Sequence, residues 1–155
     1  MPKIDIAKAE VRTTCPYPGK LKDIARGREK CLVGNAGGLT QFGVNVTRLK
    51  PGAGSSLRHW HEQEDEFIYV LEGEITLIED SGETLLRPGD AAAWKAGVAN
   101  GHQLINRTGR DAVYLEVGTR AATERANYPD VDLVMIRDAN GQRFTHKSGE
   151  PYAES

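Results

Sequence analysis

Short apolar runs separated by turn residues fill the middle of the chain, from residue 38 to residue 119. This succession is typical of an all-β sandwich or barrel, and no stretch carries the 3.6-residue apolar stripe of a long helix. The pattern therefore predicts an all-β fold. The runs are Leu39–Leu49, Asp65–Leu71, Glu74–Glu79, Thr84–Arg87, Ala91–Lys95, His102–Asn106 and Ala112–Gly118.

The breaks between these runs have the chemistry of tight turns. Lys50-Pro51-Gly52 and Arg87-Pro88-Gly89 place proline where a turn fixes φ and glycine where φ is positive. Asp80-Ser81-Gly82 and Arg107-Thr108-Gly109 resemble hairpin connections. These breaks are therefore expected to be the turns that separate successive strands.

Two flanking segments lack this pattern. Residues 1–37 are polar, contain Pro16 and Pro18, and are interpreted as an N-terminal arm that covers a core formed by residues 38–119. Residues 120–155 are interpreted as a C-terminal tail, in which Asn140-Gly141 predicts a two-residue β-hairpin. An isolated hairpin is marginally stable in water, so this one is expected to pack on the barrel or on a partner chain.

Composition narrows the class of partner. The 155 residues include 20 basic and 22 acidic side chains, for a formal net charge of -2. This balance gives no electrostatic reason to expect nucleic acid or an anionic membrane as partner. Cys15 and Cys31 have neither metal nor redox spacing. The start of the sequence has no apolar segment of signal-peptide length, so a cytoplasmic location is expected.

The candidate chemistry lies in three of the four histidines and one carboxylate. His59 and His61 are separated only by Trp60, so in a strand their side chains point to the same face. Glu66 opens a strongly apolar run, and His102 opens another. Three imidazoles and a carboxylate suit a borderline divalent ion such as Fe, Mn, Ni, Co or Zn. On a six-coordinate ion they would leave positions open for substrate.

Other polar residues alternate with apolar ones in the predicted strands. Tyr114 and Glu116 share a face and are candidates for a general acid or base inside the barrel. Gln41, Asn45 and Thr47 alternate with Phe42, Val44 and Val46, so the polar set either lines a pocket or meets solvent, and the solvent interpretation is favoured.

Residues 52–106 resemble the two motifs of the cupin superfamily. The first is a glycine (Gly52 or Gly54), the pair His59 and His61, Glu66 five positions later and Gly73 seven positions after that. The second runs from Gly89 to His102 and Asn106, with Lys95-Ala96-Gly97 in place of Pro-X-Gly and four residues, instead of two, before the histidine. The chain is similar to small single-domain cupins with an Ala-Gly-Val-X-Asn-Gly-His element.

This resemblance implies a double-stranded β-helix, or jelly-roll barrel, that is usually homodimeric and holds one metal ion inside. The implied ligands are His59, His61, Glu66 and His102. Glu64 and Asp65 are rival carboxylates, and the spacing to Gly73 selects Glu66.

Cupins include enzymes and binding proteins, so the resemblance alone does not fix the reaction. A metal-dependent enzyme acting on a small polar metabolite is expected, either an isomerase of sugar-phosphate type, with Glu116 or Glu64 as base, or a dioxygenase. The alternative is a non-catalytic barrel that binds a small molecule.

Overall fold

A computed structural model describes residues 2–153, and within them the chain forms thirteen β-strands. The predicted all-β fold is confirmed. The strands are β1 (Val11–Arg12), β2 (Arg28–Cys31), β3 (Phe42–Leu49), β4 (Trp60–His61), β5 (Glu66–Glu72), β6 (Ile75–Glu79), β7 (Gly82–Leu86), β8 (Ala91–Trp94), β9 (Gln103–Ile105), β10 (Ala112–Thr119), β11 (Glu124–Tyr128), β12 (Leu133–Asp138) and β13 (Gly141–Thr145).

Helical structure in residues 2–153 is short. It comprises one α-helix, α1 (Val33–Ala36), and 3-10 segments at Ile6–Lys8 and Gly19–Ala25. None of these helices has the length and apolar character needed to cross a membrane.

The strands form three antiparallel sheets. The largest has the order β1-β2-β3-β10-β5-β8, and the others have the orders β13-β12-β11-β4 and β7-β6-β9. A cluster of buried apolar side chains fills the space inside the barrel. Its members include Leu49, Val70, Ile75, Leu77, Leu104 and Tyr114.

The side chains of strand β5 distinguish the inner face of the largest sheet from its outer face. Ile68 and Val70 point inward and are buried, whereas Phe67, Tyr69 and Leu71 point outward and remain 39%, 40% and 43% exposed. The alternation follows from the two-residue period of a strand. One face of this sheet thus lines the interior, and the other presents apolar side chains to the outside.

Both flanking segments contribute strands. In the arm, β2 pairs with β3, with Arg28 opposite Leu49. In the tail, β12 and β13 form the predicted hairpin around Asn140, with Asp138 opposite Gly141, and the hairpin joins the barrel through β11. Strand β11 was not predicted from the sequence, and its pairing of Ala126 with His61 brings the tail to the candidate site.

The arm is held against the tail by aromatic contacts. Tyr17 packs edge-on against Tyr128, with ring centroids 5.6 Å apart, and against Phe144 at 5.5 Å. Edge-to-face aromatic pairs contribute about 0.5–1.5 kcal/mol beyond the burial of their area. The arm and the tail therefore form a second apolar cluster beside the barrel core.

Steric constraints explain why the residue that ends the first motif is glycine. Gly73 has φ +74, in the left-handed region, and a Cβ there would lie 2.6 Å from Asp111 O. Only glycine fits this turn between β5 and β6.

Candidate metal centre

Backbone pairing joins His59 to His102. His59 N donates to His102 O at 3.1 Å, and His102 N donates to His59 O at 2.9 Å. This bridge places the two ring centroids 4.9 Å apart, and the His61 ring lies 4.8 Å from that of His59. Three imidazoles therefore meet although His102 is distant in sequence.

Glu66 points its carboxylate at these imidazoles. Its Oε1 lies 3.1 Å from His61 Nε2 and 3.7 Å from His59 Nε2, and its Oε2 contacts His102 Nε2. Ligand atoms of His59, His61 and Glu66 all lie within 4.8 Å of one another. The structure thus brings together the four residues that the sequence proposed, and their nitrogen and oxygen donors fit a borderline divalent ion. Their role as metal ligands stays a prediction.

Hydrogen bonds orient the outer nitrogens of two of the imidazoles. His59 Nδ1 lies 2.8 Å from Leu57 O, and His102 Nδ1 lies 3.3 Å from Asn100 O. A carbonyl only accepts, so each Nδ1 carries a proton, and Nε2 is the nitrogen that each ring turns toward Glu66 and would offer to a metal ion. Such contacts fix the tautomer and the ring orientation that a metal ligand needs.

The pKa values of the clustered residues are shifted in different directions. Burial lowers the pKa of His59, which favours a neutral imidazole. Burial acts against the charge of Glu66, but the three facing imidazoles outweigh it and hold the pKa of that carboxyl well below its usual range. For His61, burial is outweighed by Glu66, Glu124 and Glu64, which raise its pKa. The centre therefore retains an ionised carboxylate, the form that binds a metal.

Aromatic rings close the walls of the centre. Trp94 stacks on His102 with centroids 3.9 Å apart and an interplanar angle of 6°, and Tyr128 lies 5.5 Å from His59. These rings limit rotation of the imidazoles and lower the local dielectric.

The longer loop of the second motif docks onto the first. Gly97 N donates to His61 O at 2.9 Å, and Ala96 N donates to Asp65 Oδ1 at 2.8 Å. The residues between Gly97 and His102 include Asn100, whose carbonyl orients the His102 ring. The extra residues in this chain thus position His102 instead of displacing it.

A cavity of about 390 Å³ opens at the centre. It is lined by the four candidate ligands and by side chains on the inner face of the largest sheet, among them Tyr114 and Glu116. This volume lies within the range of small-molecule sites, about 300–1,000 Å³.

Glu116 is held in this cavity by one of its two oxygens. Oε1 accepts from Thr47 Oγ1 at 3.0 Å and from Asn45 Nδ2 at 3.1 Å, and it lies 3.1 Å from Lys30 Nζ. Within residues 2–153, Oε2 has no hydrogen-bonding or ion-pair partner. The carboxylate is thus fixed in orientation with one oxygen free to act on a ligand.

The solvent interpretation of Asn45 and Thr47 is wrong. Both side chains lie on the cavity face of β3, where they hold Glu116, and Thr47 is completely buried. The alternation of β3 placed them together on one face, but it could not show which face is covered by another sheet.

Tyr114 is fully buried and lines the same cavity. Its hydroxyl has no hydrogen-bond partner among the described residues. Burial, together with the charge of Glu116, raises the pKa of Tyr114 well above its ordinary value. The phenol therefore stays protonated at neutral pH and can act as a hydrogen-bond donor, not as a base.

Glu64, the rival carboxylate and alternative base, is committed elsewhere. Its Oε2 lies 2.9 Å from Arg137 Nη1 and accepts from Ala121 N at 2.9 Å, while Oε1 faces His61 Nδ1 at 3.9 Å. Glu64 thus stands behind His61, on the side away from Glu66.

Two glycines face each other across β3 and β10 beside Glu66. Gly43 pairs with Gly118, and Gly118 also pairs with Glu66. Both glycines line the cavity. Their missing side chains leave room in the cavity wall beside Glu66.

Sequence reasoning missed three residues around the centre. Glu124 backs His61, Arg28 is buried against the cavity, and Arg58 connects the two histidine segments by donating to Gly101 O at 3.2 Å. Ala126 and Tyr128 alternate with the polar residues Arg125 and Asn127, which is the two-residue period of a strand, but this pattern is too short to locate β11 by itself. The partners of the two arginines are distant in sequence and left no local pattern.

Comparisons with known proteins identify the family to which this architecture belongs. Residues 45–118 match the model of the Cupin_2 family, described as a cupin domain. The chain is 50% identical to a sugar phosphate isomerase from a cupin superfamily, from Silicibacter pomeroyi, over 97% of this chain and 96% of that one, with a TM-score of 0.93. No curated protein matches it.

Two further solved structures are more distant. A candidate sugar phosphate isomerase from Acidithiobacillus ferrooxidans is 25% identical, over 83% of this chain and 81% of that one, with a TM-score of 0.74. The polyketide cyclase RemF from Streptomyces resistomycificus is 24% identical, over 77% and 79%, with a TM-score of 0.60, and it shares the fold. On its motifs, its fold and its match to the Silicibacter protein, this chain belongs to the cupin superfamily.

Proposed function

We propose that the chain is a metal-dependent isomerase acting on a small sugar phosphate. The observation that carries this proposal is the position of Glu116, whose free Oε2 lies in the cavity that the candidate metal ligands also line. The name of the Silicibacter protein, which is 50% identical, supports the choice of reaction.

His59, His61, Glu66 and His102 would hold one divalent ion, either Fe, Mn, Ni or Zn. A bound ion of this kind supplies a Lewis acid that polarises a substrate carbonyl and acidifies the neighbouring C–H bond. The mutual approach of the three Nε2 atoms to one carboxylate favours this assignment.

Glu116 would move the proton. Its Oε2 removes a proton from the hydroxyl-bearing carbon next to the carbonyl and returns it to the former carbonyl carbon, while the hydroxyl proton moves to the former carbonyl oxygen. One C–H bond and one O–H bond break and one of each forms, so no oxidant is needed. Lys30, Asn45 and Thr47 hold Oε1, and they keep the carboxylate aimed during both transfers. Tyr114 donates its phenol proton to a substrate oxygen in a hydrogen bond, without ionising.

We also propose a homodimer formed through the outer face of the largest sheet. Phe42, Phe67, Tyr69 and Leu71 are large apolar side chains that remain 38–43% exposed there. An apolar face of this kind is unusual on a monomer and typical of a protein interface.

Proton exchange tests the isomerase. Metal-loaded protein is incubated with aldose and ketose phosphates in D2O, and deuterium incorporation next to the carbonyl is followed by NMR together with the isomer ratio. We expect the parent protein to incorporate deuterium and to interconvert the isomers. In Glu116→Gln both rates should be lower by about 10²–10⁴-fold. Glu83→Gln, a surface change, is the matched control and should keep full activity. Neither exchange nor isomerisation with any of these substrates would reject the proposed reaction.

A further inference from the structure

The cavity carries more positive than negative side chains, although the whole chain has a net charge of -2. Five lysines and arginines line it, against three glutamates. A divalent ion at the centre would add to the positive field, which favours an anionic ligand. The five cations are Arg12, Arg28, Lys30, Arg120 and Arg137.

Three of these cations are already neutralised by carboxylates. Arg12 lies 3.1 Å from Glu10, Lys30 lies 3.1 Å from Glu116, and Arg137 lies 2.9 Å from Glu64. Across residues 2–153, the other two, Arg28 and Arg120, have no carboxylate within 4.0 Å. Arg120 is exposed, so water can solvate its charge.

Arg28 is different because it is 7% exposed. Nη1 donates to Ser55 O at 2.6 Å and Nη2 donates to Thr14 O at 3.1 Å, whereas Nε has no partner in the described chain. These bonds use two of the five N–H groups of a guanidinium. A buried charge that meets only neutral oxygens is costly, and a bound anion would offset that cost.

Arg28 is connected to the candidate metal centre by a short series of contacts. Ser55, whose carbonyl accepts from Arg28, has its hydroxyl 3.4 Å from Ser56 Oγ, and Ser56 Oγ lies 3.2 Å from His59 Nδ1. The buried hydroxyl of Tyr114, which lines the same cavity and has no hydrogen-bond partner among the described residues, adds a second hydrogen-bonding group for an acceptor.

We infer that Arg28 anchors the phosphate of the substrate, while the reacting carbons lie at the histidine cluster and Glu116. The inference rests on the proposed function and assigns the end of the cavity at which a phosphate monoester is recognised. The planar fork of arginine matches the oxygens of a phosphate in a two-point contact.

Inorganic phosphate is the probe. Metal-free full-length protein is used, because phosphate could otherwise bind a metal ion directly, and binding is followed by calorimetry and by 31P NMR. The parent chain should bind phosphate, and Arg28→Met should weaken binding by at least about tenfold, as expected for loss of a charge-assisted hydrogen bond. Arg12→Gln, a carboxylate-paired cation of the same cavity, should bind like the parent. Arg28→Lys keeps the charge without the fork and should lie between, which preserves the test if Arg28→Met does not fold.

Three results would overturn the inference. The first is that the parent binds no phosphate up to ~10 mM, a concentration that nearly saturates a site of about 1 mM affinity. The second is that folded Arg28 variants bind phosphate as tightly as the parent. The third is that Arg120→Gln loses binding while the Arg28 variants retain it.

Turnover separates this inference from the proposed function. If the enzyme isomerises sugar phosphates and their neutral counterparts equally well, and Arg28 variants behave like the parent, the phosphate anchor is wrong and the isomerase stands. If phosphate binds through Arg28 but no sugar phosphate is isomerised, the anchor stands and the proposed reaction is wrong.

Discussion

His61 Nδ1 lies 3.6 Å from Glu124 Oε2. Both atoms are buried, and neither has a hydrogen-bond partner among the described residues. The distance is longer than an ordinary hydrogen bond, so in this geometry the contact is electrostatic. The other oxygen of Glu124 accepts from the backbone N–H groups of Glu62, Gln63 and Arg125, which holds the carboxylate in place behind the imidazole.

Glu124→Gln should therefore weaken metal binding while the fold is kept. Glutamine retains an oxygen for the three backbone donors but removes the charge that faces His61, and loss of such an outer partner lowers metal affinity by about 10–100-fold. Competition against a chelator measures the affinity. Glu83→Gln removes a surface carboxylate and is the control. Equal affinity in Glu124→Gln and the parent would contradict a positioning role.

Metal content tests the four candidate ligands. Protein purified without added metal or an affinity tag should contain about one divalent ion per chain, since one donor set of this type occupies the cavity. His59→Ala, His61→Ala, Glu66→Ala and His102→Ala should each lose it, as measured by elemental analysis of folded protein.

The fourth histidine provides the control for that series. His146 pairs with Asp132 at 2.8 Å and stacks on Tyr152, outside the cavity lining. His146→Ala should keep the metal. A parent protein that contains no metal and takes up none of the ions offered would contradict the site.

Arg58→Ala should lower the free energy of unfolding. Arg58 makes two bonds to Asp130, at 2.9 and 2.8 Å, one to Gly101 O and one to Asp80, and its side chain is 15% exposed. Removing it leaves polar groups of three segments unpaired, at a cost of about 1–3 kcal/mol. Urea unfolding measures the change.

Arg107→Ala is the matched control, because Arg107 also makes two bonds to one carboxylate, that of Glu83, but both side chains are about half exposed. Its loss should cost less than that of Arg58. Equal effects of the two substitutions would show that Arg58 has no special position between the histidine segments.

The buried tyrosines predict a loss of stability at alkaline pH. Burial raises the pKa of Tyr17 to about 12 and holds the pKa of Tyr114 and Tyr128 well above the ordinary value. In the unfolded chain these phenols ionise near pH 10, so above that pH the folded state binds more protons than the unfolded state. The free energy of unfolding should therefore fall as pH rises from about 10 to about 12.

Chemical unfolding at several pH values, with tyrosinate absorbance of the native protein, measures this effect. Ionisation of all tyrosines together near pH 10 in the folded protein would contradict the burial of Tyr114.

The outer sheet face predicts the oligomeric state. The parent should sediment as a dimer, and Phe67→Asp should shift it toward monomer by placing a charge on the apolar face. Val98→Asp changes an exposed apolar residue outside that face and should leave the dimer intact. A parent that is monomeric at every concentration would reject the proposed interface.

Many of the strands and turns could be predicted from local sequence. Period-two alternation located the strands around Ile68 and Val117, and Asn140-Gly141 located the tail hairpin, because side-chain direction and turn conformation depend on neighbouring residues. The spacing of His59, His61 and Glu66 carried the candidate site for the same reason.

What the sequence did not reveal depends on contacts between distant segments. β11 is short and polar at alternate positions, and it is fixed by pairing with β4 and β12. Glu116 was a candidate from its strand face alone, but its orientation depends on Lys30 in the arm. Arg28 is buried because Thr14 and Ser55 close over it, and no local pattern encodes that closure.

The facing pair of Gly43 and Gly118 makes the width of the cavity beside Glu66 depend on two strand positions. Neither glycine has positive φ, so alanine is compatible with the backbone at both. A Cβ would lie 3.4 Å from the Arg120 guanidinium at one position and 3.5 Å from Asp65 O at the other. Alanine at one or both positions would therefore narrow the cavity by one methyl group each. The size of substrate that fits is thus set separately from the residues that carry the proposed chemistry.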